Sequence, residues 1–419
     1  MTPPPERSLP RWLLLLGIAV LAANLRPALT ATGPVLPLIG AEVGLSGRTL
    51  GLLTALPVMV FAVTSGGVHR LVERFGIERT TAGALTGLAL ALLLRSWPGW
   101  AGNLWLGTVL LGAALAVLNV TVPVIVKRDF SGAASWVTGS YVAVLRTFAG
   151  LAAALAVPLA ASSQLGWRLA LGCWAVVAVV ALLVWLPRAW RRRSSPGHGA
   201  AAASVVQAEA TPVTLPAPAA EAREQPLAGR SATLWRSAPA WRLAAYMGMQ
   251  SVAFYTAFSW IPSVEQHLGV DPAHAGWHMF VLQLAGILGS LLTPVLMRAG
   301  TDERWAATLP GLIISAGALG LWLAPAAVLV WVVLIGLGTG SAFVAILSLI
   351  TIRAADLRTA PRLSSMAQAV GYTIAAVGLL TAGFVFEANV LAVLPLILAV
   401  GAATAVLGLG VGRRHSIQT

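Results

Sequence analysis

Apolar stretches of about 20 residues recur along this chain and restrict its fold more than any other feature of the sequence. A helix of that length and composition crosses the hydrocarbon core of a bilayer. Only 10% of the 419 residues are charged, whereas about a quarter are charged in soluble domains. The sequence therefore predicts an all-α integral membrane protein with twelve transmembrane helices. They lie near residues 12–38, 50–69, 79–97, 102–126, 134–161, 166–187, 240–264, 274–297, 304–323, 326–352, 362–386 and 389–411.

A polar segment rich in Ala, Pro and Ser separates the first six stretches from the last six. It contains RRRSSPGHGAAAASVVQ and shows no apolar period, which is typical of a flexible linker. We therefore predict an N-terminal six-helix bundle over 1–187, a flexible cytoplasmic linker over 188–239 and a C-terminal six-helix bundle over 240–419. The first apolar stretch continues past any plausible signal-peptide cleavage point, so we interpret it as a retained span.

The basic residues orient these predicted helices. With a cytoplasmic N-terminus, 22 of the 27 Lys and Arg residues fall on the cytoplasmic side, and only Arg48, Arg95 and Arg168 fall on the opposite side. The formal net charge of +13 is thus a topology signal rather than a nucleic-acid-binding surface. We predict a multi-pass protein of the bacterial inner membrane with both termini in the cytoplasm. The single cysteine, Cys173, excludes an internal disulfide and a cysteine-based zinc cluster.

The two sets of six stretches match each other at a nearly constant spacing. The interval from Gly44 in GLSGRTLG to Gly269 in GVDPAHAG equals the interval from Arg128 in VIVKRDF to Arg353 in LITIRAAD, and we call it the repeat interval. Because each set has six spans, both sets insert in the same orientation. Such a parallel repeat is typical of the major facilitator fold, whose substrate site lies between the halves near the bilayer midplane. Chance similarity among apolar segments does not readily match charged loops.

Several motifs resemble those of the cyanate/2-nitroimidazole permease (CynX/NimT) family, a branch of the major facilitator superfamily. They are NLRP at 24–27, GLLTALPVMVF at 51–61, RFGIER at 74–79, VKRDF at 126–130, GWRLAL at 166–171, MGMQSVAFYTAFSWIP at 247–262, IRAAD at 352–356 and LSSMAQAVGYTIAAVG at 363–378. The resemblance implies a permease for a cyanate-like or nitroimidazole-like solute. The chain departs from the family pattern at GLLT, 378–381, and at FEAN, 386–389, so the resemblance does not fix the substrate.

Two arginines, Arg26 and Arg146, lie inside predicted spans. An arginine at the bilayer centre costs about 2.5–3.5 kcal/mol on insertion scales, so such residues face a bundle interior or a water-filled cavity. Pro27 frees a backbone carbonyl one turn earlier and bends the helix, and Arg26 could instead bond to that backbone. We place the acidic residues in loops or at span ends, which leaves neither arginine a predicted carboxylate partner. This arrangement favours a small anion or a nitro group over a large organic cation.

Neutral polar residues at similar depths complete the candidate substrate site. The predicted substrate-binding residues are Asn24, Arg26, Asn119, Arg146, Gln250, Tyr255, Gln283, Gln368 and Tyr372. Phe61, Phe254 and Trp260 are predicted to bound its apolar side. For each neutral residue the alternative is an interhelical hydrogen bond.

Three histidines, His267, His274 and His278, have a spacing compatible with a metal site. No carboxylate is fixed beside them by the sequence, and no fourth ligand is evident. We therefore predict no metal, no cofactor and no catalytic residue.

Basic residues in the predicted cytoplasmic loops are candidates for gating. They are Arg74, Gly76, Arg79, Lys127, Arg128, Arg298 and Arg353, with the glycine included for its turn. The alternative is that these residues only fix orientation.

Taken together, the sequence predicts a secondary-active transporter that moves a small polar or anionic solute by alternating access. A coupling proton or an exchanged anion and the lipid bilayer are its other expected partners, and we expect a monomer. The alternatives are efflux of neutral compounds and, in a different class, a membrane-embedded enzyme or a scaffold. The sequence does not decide between import and export.

Overall fold

The computed structural model describes residues 11–64, 67–130, 133–191, 235–299, 302–354 and 359–413. Within these ranges the elements are sixteen α-helices and two short 3-10 turns. The helices are α1 Arg11–Ala22, α2 Pro27–Thr30, α3 Thr32–Val43, α4 Gly47–Thr64, α5 Val68–Phe75, α6 Ile77–Ser96, α7 Gly102–Asp129, α8 Ala134–Ala161, α9 Trp167–Gly172, α10 Trp174–Arg191, α11 Ala238–His267, α12 Pro272–Ala299, α13 Arg304–Leu323, α14 Val328–Arg353, α15 Thr359–Ala388 and α16 Val393–Val411.

Eleven segments of the described residues are long and apolar enough to cross a membrane. The seventh predicted span corresponds to α11, which has 30 residues and is long enough to cross but is less apolar than the others. Its polar side chains, among them Gln250, Tyr255 and Glu265, are buried within the protein. The all-α membrane fold is confirmed, and the lower hydropathy of α11 comes from polar side chains that face the interior of the protein.

The first predicted span is broken rather than continuous. Helix α1 ends at Ala22 and α2 starts at Pro27, so the chain leaves helical geometry at residues 23–26. Pro27 cannot donate a backbone hydrogen bond, and it occupies the first position of α2, where no such bond is needed. The predicted bend is therefore a full interruption, and it places Arg26 at a helix start.

The internal repeat is visible in matched details of the two halves. Gly44 and Gly269 both have positive φ, +71° and +87°, in the turns that follow α3 and α11. The Arg128 guanidinium is 2.7 Å from Glu78, and the Arg353 guanidinium is 2.6 Å from Glu303. The repeat interval separates the two arginines of these pairs, and it also separates the two glutamates. The predicted parallel repeat is confirmed.

We call the described residues up to Arg191 the N-terminal half and those from Trp235 onward the C-terminal half. The linker end of the bundle is where α10 ends and α11 begins, and the distal end is where α3 and α11 end. Helix α10 continues past the predicted boundary at 187. Most of the predicted linker, residues 192–234, lies outside the described residues, so the division into 1–187, 188–239 and 240–419 stays a prediction.

The halves pack along three helix pairs, α4 with α15, α8 with α12 and α3 with α11. Glycines allow close backbone approach at two of these contacts. A Cβ added to Gly51 would lie 2.7 Å from the Cα of Gly383, and one added to Gly276 would lie 2.6 Å from the carbonyl oxygen of Ala153. Gly51 and Gly276 lie near the distal end of the bundle, so the two halves are tightly joined there.

Candidate functional site: a cavity lined by arginines

A cavity opens beside the break in the first span, where that span faces α11. Residues from both halves line it, including Arg26, Thr32, Arg95, Tyr255 and Ser259. Arg26, the last residue of the break, and Leu29 and Thr30 of α2 form part of its wall. The cavity therefore lies where a major facilitator fold is expected to hold its substrate, between the halves.

Arg26 reaches across this cavity to the C-terminal half. Its guanidinium donates a hydrogen bond of 2.9 Å to the phenolic oxygen of Tyr255. Its Cζ atom also lies 5.8 Å from the ring centroid of Phe254. The alternative contact to the freed backbone is not the one observed. Since a phenol both accepts and donates, the hydroxyl proton of Tyr255 remains available to a ligand.

Arg146 of α8 approaches the same phenylalanine and is buried. Its Cζ atom lies 6.0 Å from the ring centroid of Phe254, and Nη1 donates to the side-chain oxygen of Gln283 at 3.3 Å. The guanidinium lies against Gly286, where a Cβ would collide with Nη1. Gln283 Nε2 is buried and has no partner among the described residues. Phe254 thus lies within reach of two arginines from the other half.

Arg95 is another buried arginine, which the basic-residue pattern places at the end of the third predicted span on the side opposite the cytoplasm. It lies in the last turn of α6, donating to the carbonyl of Ala28 at 2.9 Å and to the hydroxyl of Thr32 at 3.0 Å. Its Nε is buried without a partner in the described structure. The position near the end of an apolar run suggested an exposed charge. The side chain instead turns inward and holds the segment that follows the break.

The electrostatic character of the site is positive and rich in hydrogen-bond donors. Within the described part of the chain, none of Arg26, Arg95 and Arg146 forms an ion pair with a carboxylate, and no acidic residue lines the cavity. A buried charge without a counter-ion is costly unless a ligand or water compensates it. The site therefore suits a ligand that accepts hydrogen bonds and carries negative charge.

Four other predicted site residues bond to nearby protein groups. Asn24 donates to the carbonyls of Val20 and Val177, and Asn119 donates to that of Leu115. Gln250 donates to Met247 and Ser251, and Gln368 donates to Ser364. Of these contacts only the one from Asn24 to Val177 is the interhelical bond named as the alternative, and the others are local. Their role in substrate binding stays a prediction.

The predicted aromatic residues divide into two groups. Phe61 and Tyr372 are in edge contact across the halves, with ring centroids 6.1 Å apart. Trp260 is fully buried and packs on Phe386, 4.4 Å between centroids. Phe61 and Tyr372 therefore contact each other across the interface, whereas Trp260 belongs to the core of the C-terminal half.

The predicted gating residues all lie at the linker end. Arg128 and Arg353 form the matched ion pairs, whereas Arg74, Arg79, Lys127 and Arg298 are exposed. Gly76 has a φ of +78° between α5 and α6, a conformation that favours glycine. Their part in gating stays a prediction.

Two of the three histidines have carboxylate partners that the sequence did not fix beside them. His278 Nδ1 is 2.7 Å from Glu265 Oε2, and His274 is 3.4 Å from Asp271. Glu265 is not evident as a partner from the sequence because it stands two residues before the end of α11, where a carboxylate ordinarily reaches solvent. In the described structure no group of three His, Cys, Asp or Glu residues is arranged to hold a metal ion.

Comparison with known proteins identifies the class of this fold. The Major Facilitator Superfamily model matches residues 14–379, and the chain belongs to that family of transporters. The crystal structure of the nucleoside transporter NupG has the same fold, with a TM-score of 0.69 at 13% identity, covering 95% of this chain and 98% of that one. The chain is therefore a multi-pass membrane transporter and not an enzyme.

Individual relatives confirm the resemblance seen in the motifs. The chain is 32% identical to the transporter YycB of Bacillus subtilis, over 100% of this chain and 98% of the relative. It is also 32% identical to the 2-nitroimidazole transporter of Escherichia coli, over 90% and 89% of the two chains. The cyanate transport protein CynX of Escherichia coli is 27% identical over 86% and 87%.

Proposed function

We propose that the protein transports a small anion, or a planar heterocycle with a nitro-like acceptor group, through the cavity between its halves. The observation that carries this proposal is the excess of buried donors over acceptors at Phe254. Arg26, Arg146 and Tyr255 lie against that ring, Gln283 bonds to Arg146, and no carboxylate in the described structure pairs with either arginine. The compounds after which two relatives are named, cyanate and 2-nitroimidazole, belong to this chemical class.

Alternating access supplies the proposed mechanism. At the distal end, the backbone N–H of Arg48 donates to Glu387 at 2.9 Å, and Gln266 donates to the carbonyl of Pro34 at 3.1 Å. Both contacts join the halves, so this conformation is closed at that end. Opening it requires that these bonds and the glycine contacts separate. The exposed basic residues of the linker end would then form the opposite gate.

In the proposed orientation the linker end lies on the cytoplasmic side of a bacterial inner membrane, because that end carries most of the basic residues. An anion moving inward then works against an interior-negative potential, at about 2.3 kcal/mol per 100 mV. Accumulation therefore requires a coupled cation or an exchanged anion. Export of the same anion would be downhill.

Substitution of Arg26 tests the substrate site. We expect Arg26→Ala to weaken equilibrium binding of cyanate and of 2-nitroimidazole to the purified protein by about 10- to 100-fold, since bonds to charged groups contribute about 1.5–3 kcal/mol. Arg26→Lys should restore binding only in part, because an ammonium lacks the planar arrangement of donors.

Arg70→Ala serves as the matched control, because it removes the same charge from an exposed residue of α5. It should leave binding unchanged. Normal binding and transport by a well-folded Arg26→Ala protein would show that Arg26 is structural and that the proposed site is wrong.

A further inference from the structure

Glu265 is a fully buried carboxylate that the proposed substrate site does not use. Its side chain is 0% exposed, and Oε2 lies 2.7 Å from His278 Nδ1. The other carboxylate oxygen, Oε1, is buried and has no hydrogen-bond partner among the described residues. A buried carboxylate is unfavourable unless it is paired or protonated, so this group is poised to bind a proton.

The pair also reaches the surface of the protein. The His278 side chain is 17% exposed, whereas that of Glu265 is enclosed. An imidazole releases and takes up protons near neutral pH more readily than any other side chain. His278 can therefore pass a proton between the surface and the enclosed carboxylate across their shared hydrogen bond.

The pair lies directly behind the contacts that join the halves at the distal end. Gln266, the residue after Glu265, donates to the carbonyl of Pro34 in the N-terminal half. Gly276, two residues before His278, packs against the carbonyl of Ala153 in the same half. A change in the separation or orientation of Glu265 and His278 therefore moves the residues that make both contacts, because Gln266 and Gly276 lie within one helical turn of the pair.

The other ionisable groups at this end of the surrounding helices have different environments. In the described structure, Glu42 of α3 bonds to Trp167 and Arg168, and Glu387 of α15 bonds to Arg48. Asp271 and His274 pair with each other near the start of α12, and His267 at the end of α11 is exposed. None of these groups bonds to Glu265 or His278, so the pair titrates as a separate unit.

We propose that Glu265 and His278 form the proton-binding site that couples proton movement to transport. The pair is neutral overall when it shares one proton, and it becomes negative when that proton leaves through His278. No bond other than O–H or N–H forms or breaks in this step. The inference rests on the proposed transport function. It also supplies the coupled cation that accumulation of an anion requires, and one proton per monovalent anion makes each cycle electroneutral.

Transport assays separate coupling from substrate binding. We expect Glu265→Gln in proteoliposomes to lose accumulation of 2-nitroimidazole driven by a pH gradient, while counterflow of the same compound continues at the rate of the unmodified protein. Exchange needs no net proton movement, so it survives the loss of the proton site. The matched control is Glu42→Gln, an acid at the same end of the bundle, which should keep both activities.

A measurement without substrate tests the proton site independently. The infrared carbonyl stretch of a buried protonated carboxyl group should appear in the purified protein as the pH falls. It should be missing in Glu265→Gln and should titrate at a different pH in His278→Asn. His278→Asn keeps the buried carboxylate, so its infrared titration tests the proton site even if Glu265→Gln fails to fold.

The possible results distinguish the two proposals. If Glu265→Gln accumulates 2-nitroimidazole normally, or if its infrared titration matches that of the unmodified protein, the pair is structural and the coupling inference is wrong. If the unmodified protein neither exchanges nor accumulates 2-nitroimidazole or cyanate, the proposed substrate class is wrong, and the infrared titration alone then decides whether Glu265 and His278 bind a proton.

Discussion

The linker ends of the two halves are built alike. In the N-terminal half Arg128, near the end of α7, binds Glu78 at the start of α6. In the C-terminal half Arg353, at the end of α14, binds Glu303 just before α13. The repeat interval relates the two arginines and likewise the two glutamates. Here the repeat preserves residue type, partner and position together.

The middle of the bundle shows the opposite relation. At the repeat interval, the three arginines of the candidate site in the N-terminal half correspond to small residues in the C-terminal half. Arg26, Arg95 and Arg146 correspond to Ser251, Gly320 and Gly371. The buried Glu265 of the C-terminal half corresponds to Gly40. The ion pairs that stabilise the fold follow the repeat, whereas the arginines proposed to bind substrate occur only in the N-terminal half and the carboxylate proposed to bind a proton occurs only in the C-terminal half.

The largest expected effect is a loss of stability that differs between the two matched ion pairs. Arg353 and Glu303 side chains are 7% and 10% exposed, whereas Arg128 is 24% exposed. We expect Arg353→Met to lower the free energy of unfolding by about 3–5 kcal/mol, because it breaks a buried pair. Thermal unfolding in detergent measures this loss. Arg128→Met should lower the free energy of unfolding by less, since solvent screens its ion pair. Equal losses in the two variants would show that the difference in exposure does not make the two ion pairs unequal.

The next largest effect is a loss of ligand binding on substitution of Arg146, which has no arginine counterpart in the C-terminal half. We expect Arg146→Gln, which can keep a hydrogen bond to Gln283, to weaken cyanate binding by about tenfold through loss of charge. Binding of the uncharged form of 2-nitroimidazole should change less. Equilibrium binding to purified protein checks both values.

Ser251→Ala is the control from the other half, at the position that corresponds to Arg26. It should leave cyanate binding unaffected. A loss as large as that for Arg146→Gln would mean that both halves contribute charge-independent contacts to the ligand, and the proposed asymmetry would be lost.

The smallest effect concerns the exposed arginines of the linker end. Arg74 and Arg298 occupy nearly matched positions in the last turns of α5 and α12, and both are exposed. We expect Arg74→Glu and Arg298→Glu each to slow transport turnover by a few-fold at most, because exposed ion contacts contribute about 0–1 kcal/mol. Turnover in proteoliposomes, normalised to inserted protein, gives the comparison. Unchanged turnover in both variants would leave these residues with an orienting role alone.

The sequence was sufficient to predict the helices because their cause is local. Apolar length and basic loops mark each span, and the positions of Gly44 and Gly269 reveal the repeat. The surroundings of polar groups depend on contacts between distant residues, which no local pattern encodes. Arg95 stands next to an apparent loop yet turns inward to Thr32, and Glu265 stands near a helix end yet is enclosed by its neighbours. Arg26 was identifiable because a charge in the middle of a span is costly wherever it points.

The interrupted first span also bears on how the protein is made. Helix α1 has 12 residues, which is too few for the roughly 20 needed to cross the hydrocarbon core. The segment therefore enters the bilayer only together with α2 and α3, and it brings the charge of Arg26 with it. The hydrogen-bond partner of that charge, Tyr255, is synthesised 229 residues later. During translation the first segment thus waits in the membrane without its final contact, and its burial is completed only when α11 arrives.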